Sequence, residues 1–132
     1  MSNDGTGQRT HFEGSSPILM VTHMAASVRY YVDVLGFRNA DWGNDDFTCV
    51  YRDRAAIYLC RGGQGQPGTW VWIGVEDVEA LYKEYKASGA QIRHPPQNYP
   101  WACEMKVDDP DGHVLRFGSD CKAGVPFDAF SG

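Results

Sequence analysis

Residues 16–61 and 69–118 read as two copies of one pattern, and a chain built this way can adopt only architectures that accept the same unit twice. The first copy opens on Pro17-Ile18-Leu19-Met20-Val21. It then places Val28, Tyr31, Val32 and Leu35 at i, i+3, i+4 and i+7, the spacing of one helical face, with Gly36 as the stop. The second opens on Trp70-Val71-Trp72-Ile73-Gly74-Val75. Here Val78, Leu81, Tyr82 and Tyr85 repeat the helical spacing between a predicted N-cap, Asp77, and a predicted C′ residue, Gly89. Strand candidates follow each helix: Phe47–Tyr51 and Ala55–Cys60 in the first copy, Trp101–Val107 and His113–Phe117 in the second. The turns Arg52-Asp53-Arg54 and Asp109-Pro110-Asp111-Gly112 fall at matching places, and Gly62–Gly68 (GGQGQPG) is the hinge between copies. Each copy is therefore predicted to be a β-α-β-β-β module whose helix covers one sheet face and leaves the other bare. Side by side, two modules curl their bare faces around one cleft, which gives an α+β fold with a cupped mixed sheet.

Composition narrows the partners. A chain of 132 residues, 42% hydrophobic and 22% charged, suits one domain with a real core. Twelve Lys+Arg against seventeen Asp+Glu give a formal charge of −5 and no basic block, which argues against nucleic acid and leans slightly towards a cationic small molecule. No apolar stretch is long enough to span a bilayer. Met1–Gly14 is polar without a signal core, so the expectation is a cytoplasmic protein with a loose tail over residues 1–15 and no membrane partner. Cys49, Cys60, Cys103 and Cys121 form no C-x-x-C pair and are expected as free thiols. Nucleophilic hydrolysis lacks a G-x-S-x-G, and Gly62-Gly63-Gln64-Gly65 lacks the Lys-Ser/Thr ending of a phosphate loop. Residues 119–132 form a C-terminal extension, in which Cys121–Phe130, with Pro126, Phe127 and Phe130, either covers a groove or a partner or frays.

Two motifs carry a family resemblance. Ala26-Ser27-Val28-Arg29-Tyr30-Tyr31-Val32-Asp33-Val34-Leu35-Gly36-Phe37, together with Asp109-Pro110-Asp111-Gly112-His113-Val114-Leu115-Arg116-Phe117, resembles the vicinal-oxygen-chelate superfamily. That superfamily holds glyoxalase I, extradiol dioxygenases, fosfomycin-resistance enzymes and bleomycin-resistance proteins. The resemblance spans residues 16–118 and implies the paired-module fold just described, but one scaffold carries many chemistries. Its metal-dependent members use four cleft-facing ligands, usually His or Glu. Carried over one at a time, those positions are Ser16, Tyr58, Trp70 and Arg116 in this chain. A catalytic divalent ion needs about three donors from His, Cys or carboxylate, and a guanidinium presents only positive charge. No metal and no cofactor are expected. The four histidines, His11, His23, His94 and His113, fall in the tail or at predicted turns and are expected at the surface.

Strand alternation then assigns the cleft lining. Ile18, Met20, Tyr58, Cys60, Trp70, Trp72, Val114 and Arg116 point to the cleft, and Leu19, Val21, Ile57, Val71, Ile73, Leu115 and Phe117 to the helices. Trp101 and Tyr99, with Trp42 and Phe47 in the matching part of the first copy, are candidate walls. Arg116 is expected to meet an acidic side chain such as Glu104 or Asp108, or an anionic group on a ligand. The predicted ligand-binding set is Tyr58, Trp70, Trp72, Arg116, Met20, Trp101 and Glu104, with no catalytic residue. The resemblance implies a homodimer of the bleomycin-resistance type that sequesters an aromatic or cationic antibiotic-like compound without altering it. The alternatives are a metal-dependent glyoxalase- or dioxygenase-like enzyme with displaced ligands, and a metal-free enzyme in which Arg116 and Tyr58 polarise a substrate oxygen.

Overall fold

The structure, a computed structural model, describes residues 8–130. The first module runs β1 (Ile18–Met20), α1 (Met24–Arg29), a π-helical turn (Tyr30–Val34), β2 (Arg38–Asn39), β3 (Phe47–Arg52) and β4 (Ala55–Cys60). The second runs β5 (Trp70–Gly74), α2 (Val78–Ser88), β6 (Gln91–Ile92), β7 (Gln97–Asn98), β8 (Cys103–Asp108) and β9 (Val114–Ser119). The sheets have the same plan, β1-β4-β3-β2 and β5-β9-β8-β6. The pairs β1·β4 and β5·β9 are parallel and the rest antiparallel, and β7 is an added strand on β8. Among the described residues no strand of one sheet pairs with a strand of the other. No helix there is long and apolar enough to cross a membrane.

Local chemistry explains the helix ends. Asp77 Oδ1 accepts the Glu79 and Ala80 N–H groups at 3.0 and 3.1 Å, closing the start of α2, and Gly89 ends it at φ 87°. The first helix has no side-chain cap, and its last turn widens so that Leu35 N–H donates to Tyr30 O at 3.0 Å before Gly36 turns the chain at φ 78°. One core joins the modules: Leu19, Ile57 and Leu59 from the first sheet and Met105, Leu115 and Phe117 from the second pack on Tyr31, Leu35, Leu81 and Tyr85.

The two family motifs meet at the seam between modules. Tyr31 OH donates to Asp109 Oδ2 at 2.8 Å, and Asp109 Oδ1 accepts the Asp111 and His113 N–H groups, both at 2.9 Å. Ser27 OH donates to Asp111 Oδ2 at 2.5 Å, Thr22 N–H donates to Oδ1 at 2.9 Å, and Tyr30 OH reaches Asp108 O at 2.7 Å. The D-P-D-G turn is thus a clamp on the first helix. Burial pushes the Asp109 carboxyl above the ordinary carboxylate range, opposed by the His113 N–H and Tyr31 OH, and the Tyr31 hydroxyl is raised well above a free phenol.

Two expectations need correction, and one left open is resolved. His113 is fully buried, with its ring Nε2 on Met20 O at 2.8 Å, because the turn that presents it is itself packed against the first module. The strand expected from Trp101 begins at Cys103, since Tyr99 N–H donates to Ala102 O and turns the chain there. The C-terminal segment folds back: the Asn98 side chain donates to Lys122 O and Val125 O and accepts from Lys122 N–H, while the Asn98 N–H donates to Asp128 Oδ2 and its carbonyl accepts the Asp128 N–H. Of the expected tail, residues 8–15 are exposed and carry no helix or strand, and residues 1–7 lie outside the described range. The four cysteines are all free.

Candidate functional site: two open sheet faces

Each sheet turns one face to the shared core and leaves the other open. In β1, β3 and β4 the residues between the core positions are Ile18, Met20, Phe47, Cys49, Tyr58 and Cys60, and the register sets Tyr58 across from Ile18 and Cys49. The Phe47 and Tyr58 rings stack at 5.4 Å, and Trp42 lies over Phe47 at 6.1 Å. Asn44 Oδ1, accepting the Asp46 and Phe47 N–H groups, holds the loop that presents Trp42. This face is apolar. Its nearest ion pair, Arg61 with Asp46, sits exposed at the rim.

The second open face mixes rings with charge. Trp70 and Trp72 are 46% and 49% exposed, while Val71 between them packs on the core. Trp72 lies flat across Gly118, where a Cβ would come within 2.3 Å of the indole. The Arg116 guanidinium is 5.5 Å from the Trp72 ring centre, and Arg93 is equally far from that of Trp70. Glu104, with no exposed surface, accepts Arg116 Nε and Nη2 at 2.8 and 3.0 Å and Trp101 Nε1 at 2.6 Å. Arg93 holds Asp108 at 2.9 Å. Trp101 stacks on Tyr99 at 4.9 Å, and Phe130 from the C-terminal segment meets both rings edge-on at 5.3 and 5.7 Å.

Of the expected set, Trp70, Trp72, Trp101, Glu104 and Arg116 share the second face, and Met20 and Tyr58 lie on the first. Among the described residues no ring of one group comes within stacking distance of a ring of the other. A groove of about 860 Å³ opens elsewhere, between the modules, along Phe37, Ile57, Ile73, Leu81 and Phe117; of the expected set it touches only Trp72. Sequence reasoning missed Lys106 and Arg93, and named Phe130 as a candidate groove cover without saying which residues it meets. The alternation that puts Glu104 on the open face puts Lys106 there too, but nothing local announces that Phe130 covers it.

A metal fits poorly at the positions the resemblance supplies. Ser16 is exposed, Trp70 offers no donor, and the Arg116 guanidinium occupies the one nearby carboxylate, whose two oxygens already accept three hydrogen bonds. Among the described residues no three His, Cys, Asp or Glu side chains are grouped to hold an ion.

Comparison with known proteins places the chain. A family model described as the Glyoxalase/Bleomycin resistance protein/Dioxygenase superfamily matches residues 10–117. Among solved structures, the bleomycin-binding protein from bleomycin-producing Streptomyces verticillus, complexed with copper(II)-bleomycin, is 28% identical with a TM-score of 0.72, over 86% of this chain and 100% of that one. TioX from Micromonospora sp. ML1 is 24% identical with a TM-score of 0.68, over 86% of this chain and 100% of that one. A glyoxalase/bleomycin resistance protein/dioxygenase from Nocardioides is 19% identical with a TM-score of 0.68, over 96% of this chain and 95% of that one. The last two likenesses concern the fold alone. No curated protein matches the chain.

Proposed function

Because the chain belongs to the glyoxalase/bleomycin resistance protein/dioxygenase superfamily, we propose that it is a metal-independent binding protein of the bleomycin-resistance type, which sequesters an aromatic small molecule without altering it. The single observation that carries this reading is a pair of half-exposed indoles on an open sheet face, Trp70 among them at a position where the resemblance supplies a metal ligand. Trp70 and Trp72 stand half exposed where a core-packing role would have buried them. Flat, partly exposed rings recognise other flat rings, each contact contributing on the order of 0.5–2 kcal/mol once desolvated. The bleomycin-binding protein of Streptomyces verticillus, similar along its whole length, supports small-molecule binding as the use of the scaffold.

The protein acts as a homodimer in this reading, the second copy supplying the wall that each open face lacks. The locked Arg116–Glu104 pair supports binding over chemistry, since its charge is committed before any substrate arrives. Titration of the protein against a panel of aromatic antibiotics, followed by chromatographic recovery of the bound compound, tests the proposal. We expect at least one compound to bind and return unchanged, and Trp70→Ala to weaken it by about tenfold or more. Recovery of a converted product, or a stoichiometric divalent metal in protein purified without chelator, would support the metal-dependent enzyme instead.

A further inference from the structure

Three cations and two carboxylates stand on the second open face. Arg116 is spent on Glu104, whose oxygens accept three hydrogen bonds, and Arg93 is spent on Asp108. Lys106, paired in register with Arg116 on the neighbouring strand, is the surplus charge. It is 2% exposed, and among the described residues no hydrogen bond or ion pair reaches its ammonium. Its one marked contact is the Phe130 ring, 5.7 Å from Nζ to centroid, and that ring also meets the Tyr99–Trp101 stack edge-on. The Glu104 carboxylate acts on this ammonium without bonding to it, and the cation–π contact offsets only part of the hydration that the buried side chain has lost. A cation in excess of the carboxylates on its face, beside an aromatic platform, has the chemistry of an anion's binding place.

We propose that Lys106 and the Tyr99–Trp101 stack form a subsite for an aromatic compound bearing an anionic group, such as a carboxylate or sulfonate, and that Phe130 fills the subsite when it is empty. The proposal rests on the reading of the second face as a ligand-binding surface and names the ligand class for it. The ring of the ligand takes the place of Phe130, and its anion pairs with Lys106 Nζ. Phe130 can leave because it belongs to a segment without helix or strand, held through Asn98 at Lys122, Val125 and Asp128, and not to the sheet. The excess positive charge of this face also disfavours the cationic ligand that the overall acidity suggested.

Calorimetric titration of the full chain with three naphthalene probes separates the possibilities: 2-naphthoate, the neutral 2-naphthalenemethanol and the cationic 2-naphthylmethylammonium. The naphthoate is expected to bind about tenfold or more tighter than the alcohol, and the ammonium more weakly still. Lys106→Met removes the preference for naphthoate while leaving alcohol binding, Lys106→Arg retains it, and Phe130→Ala raises naphthoate affinity about threefold or more. Equal affinities for naphthoate and alcohol, unchanged by Lys106→Met, would overturn the anion subsite and leave the aromatic face standing. Failure of all three probes to bind would overturn the binding face and the subsite together.

Discussion

The two open faces grow from the same topology, yet one is a stack of rings and the other a lattice of rings and charges. In the first module Trp42, Phe47 and Tyr58 contact one another, and the ion pair stays at the rim. In the second, Trp70, Trp72 and Phe130 each meet a cation, and a fully buried carboxylate ties Arg116 to Trp101. The difference lies in β8 and β9. At the pair matching Lys106 and Arg116, the first module has small or apolar side chains: Cys49 faces Tyr58 where charge faces charge in its counterpart. A sheet whose helix side is fixed by the core leaves its other side free to diverge, so one repeat can carry shape recognition on one module and charge recognition on the other.

The largest expected break in this contrast is Glu104→Ala. It strands Arg116 and the Trp101 N–H in a partly buried setting and should cost about 3 kcal/mol in chemical denaturation. Tyr58→Phe on the first face removes a polar atom with no buried partner and should stay within about 0.5 kcal/mol. Similar losses for the two variants would mean that the second face is not held by its charges. Next comes Gly118→Ala. Its Cβ falls on the outer edge of the Trp72 indole, so the ring must lift from the sheet. Because that ring is half exposed the stability cost is about 1 kcal/mol or less, whereas 2-naphthoate affinity should fall about tenfold; unchanged affinity would remove Trp72 from the site.

The smallest effect is a pH dependence. Loss of hydration depresses the Lys106 ammonium below the ordinary lysine range, with Arg116 and Arg93 acting in the same direction and Glu104 against. Naphthoate needs the protonated form, so its affinity is full below that depressed pKa and falls as pH rises through it, before the pH of about 10.4 at which a free lysine loses its charge. The ligand-free fold responds with the opposite sign: the folded state holds this proton less tightly than the unfolded chain, so the lysine's contribution to stability improves as pH rises between the two values. The neutral alcohol serves as control, and parallel pH profiles for both probes would detach Lys106 from the anion.

Much of this was readable from period and spacing. Alternation placed Leu19, Ile57, Leu115 and Phe117 in the core and left Trp70 and Trp72 on the open side, and both bounds of β4 and both caps of α2 followed from local residue chemistry. The sequence names Glu104 and Asp108 as acids for Arg116 to meet; Glu104 takes its guanidinium, and Asp108 takes Arg93 instead. What stayed hidden depends on contacts distant in sequence. His113 looks like a turn residue until Ser27, Tyr30 and Tyr31 clamp the turn against the first helix. Lys106 looks like a solvated strand lysine until Phe130 covers it. Turns and terminal segments have no hydrophobic period, so their docking is decided by hydrogen bonds such as those of Asn98, which no local pattern encodes.

The most direct test is a heteronuclear NMR titration of 15N-tryptophan-labelled protein with 2-naphthoate, following the indole N–H signals of the four tryptophans. Saturable movement of the Trp72 and Trp101 signals is the expected result, with its midpoint moved to about tenfold or more higher naphthoate on Lys106→Met. Stationary Trp72 and Trp101 signals, with movement of Trp42 alone or of none, would contradict the assignment of ligand recognition to the charged face of the second module.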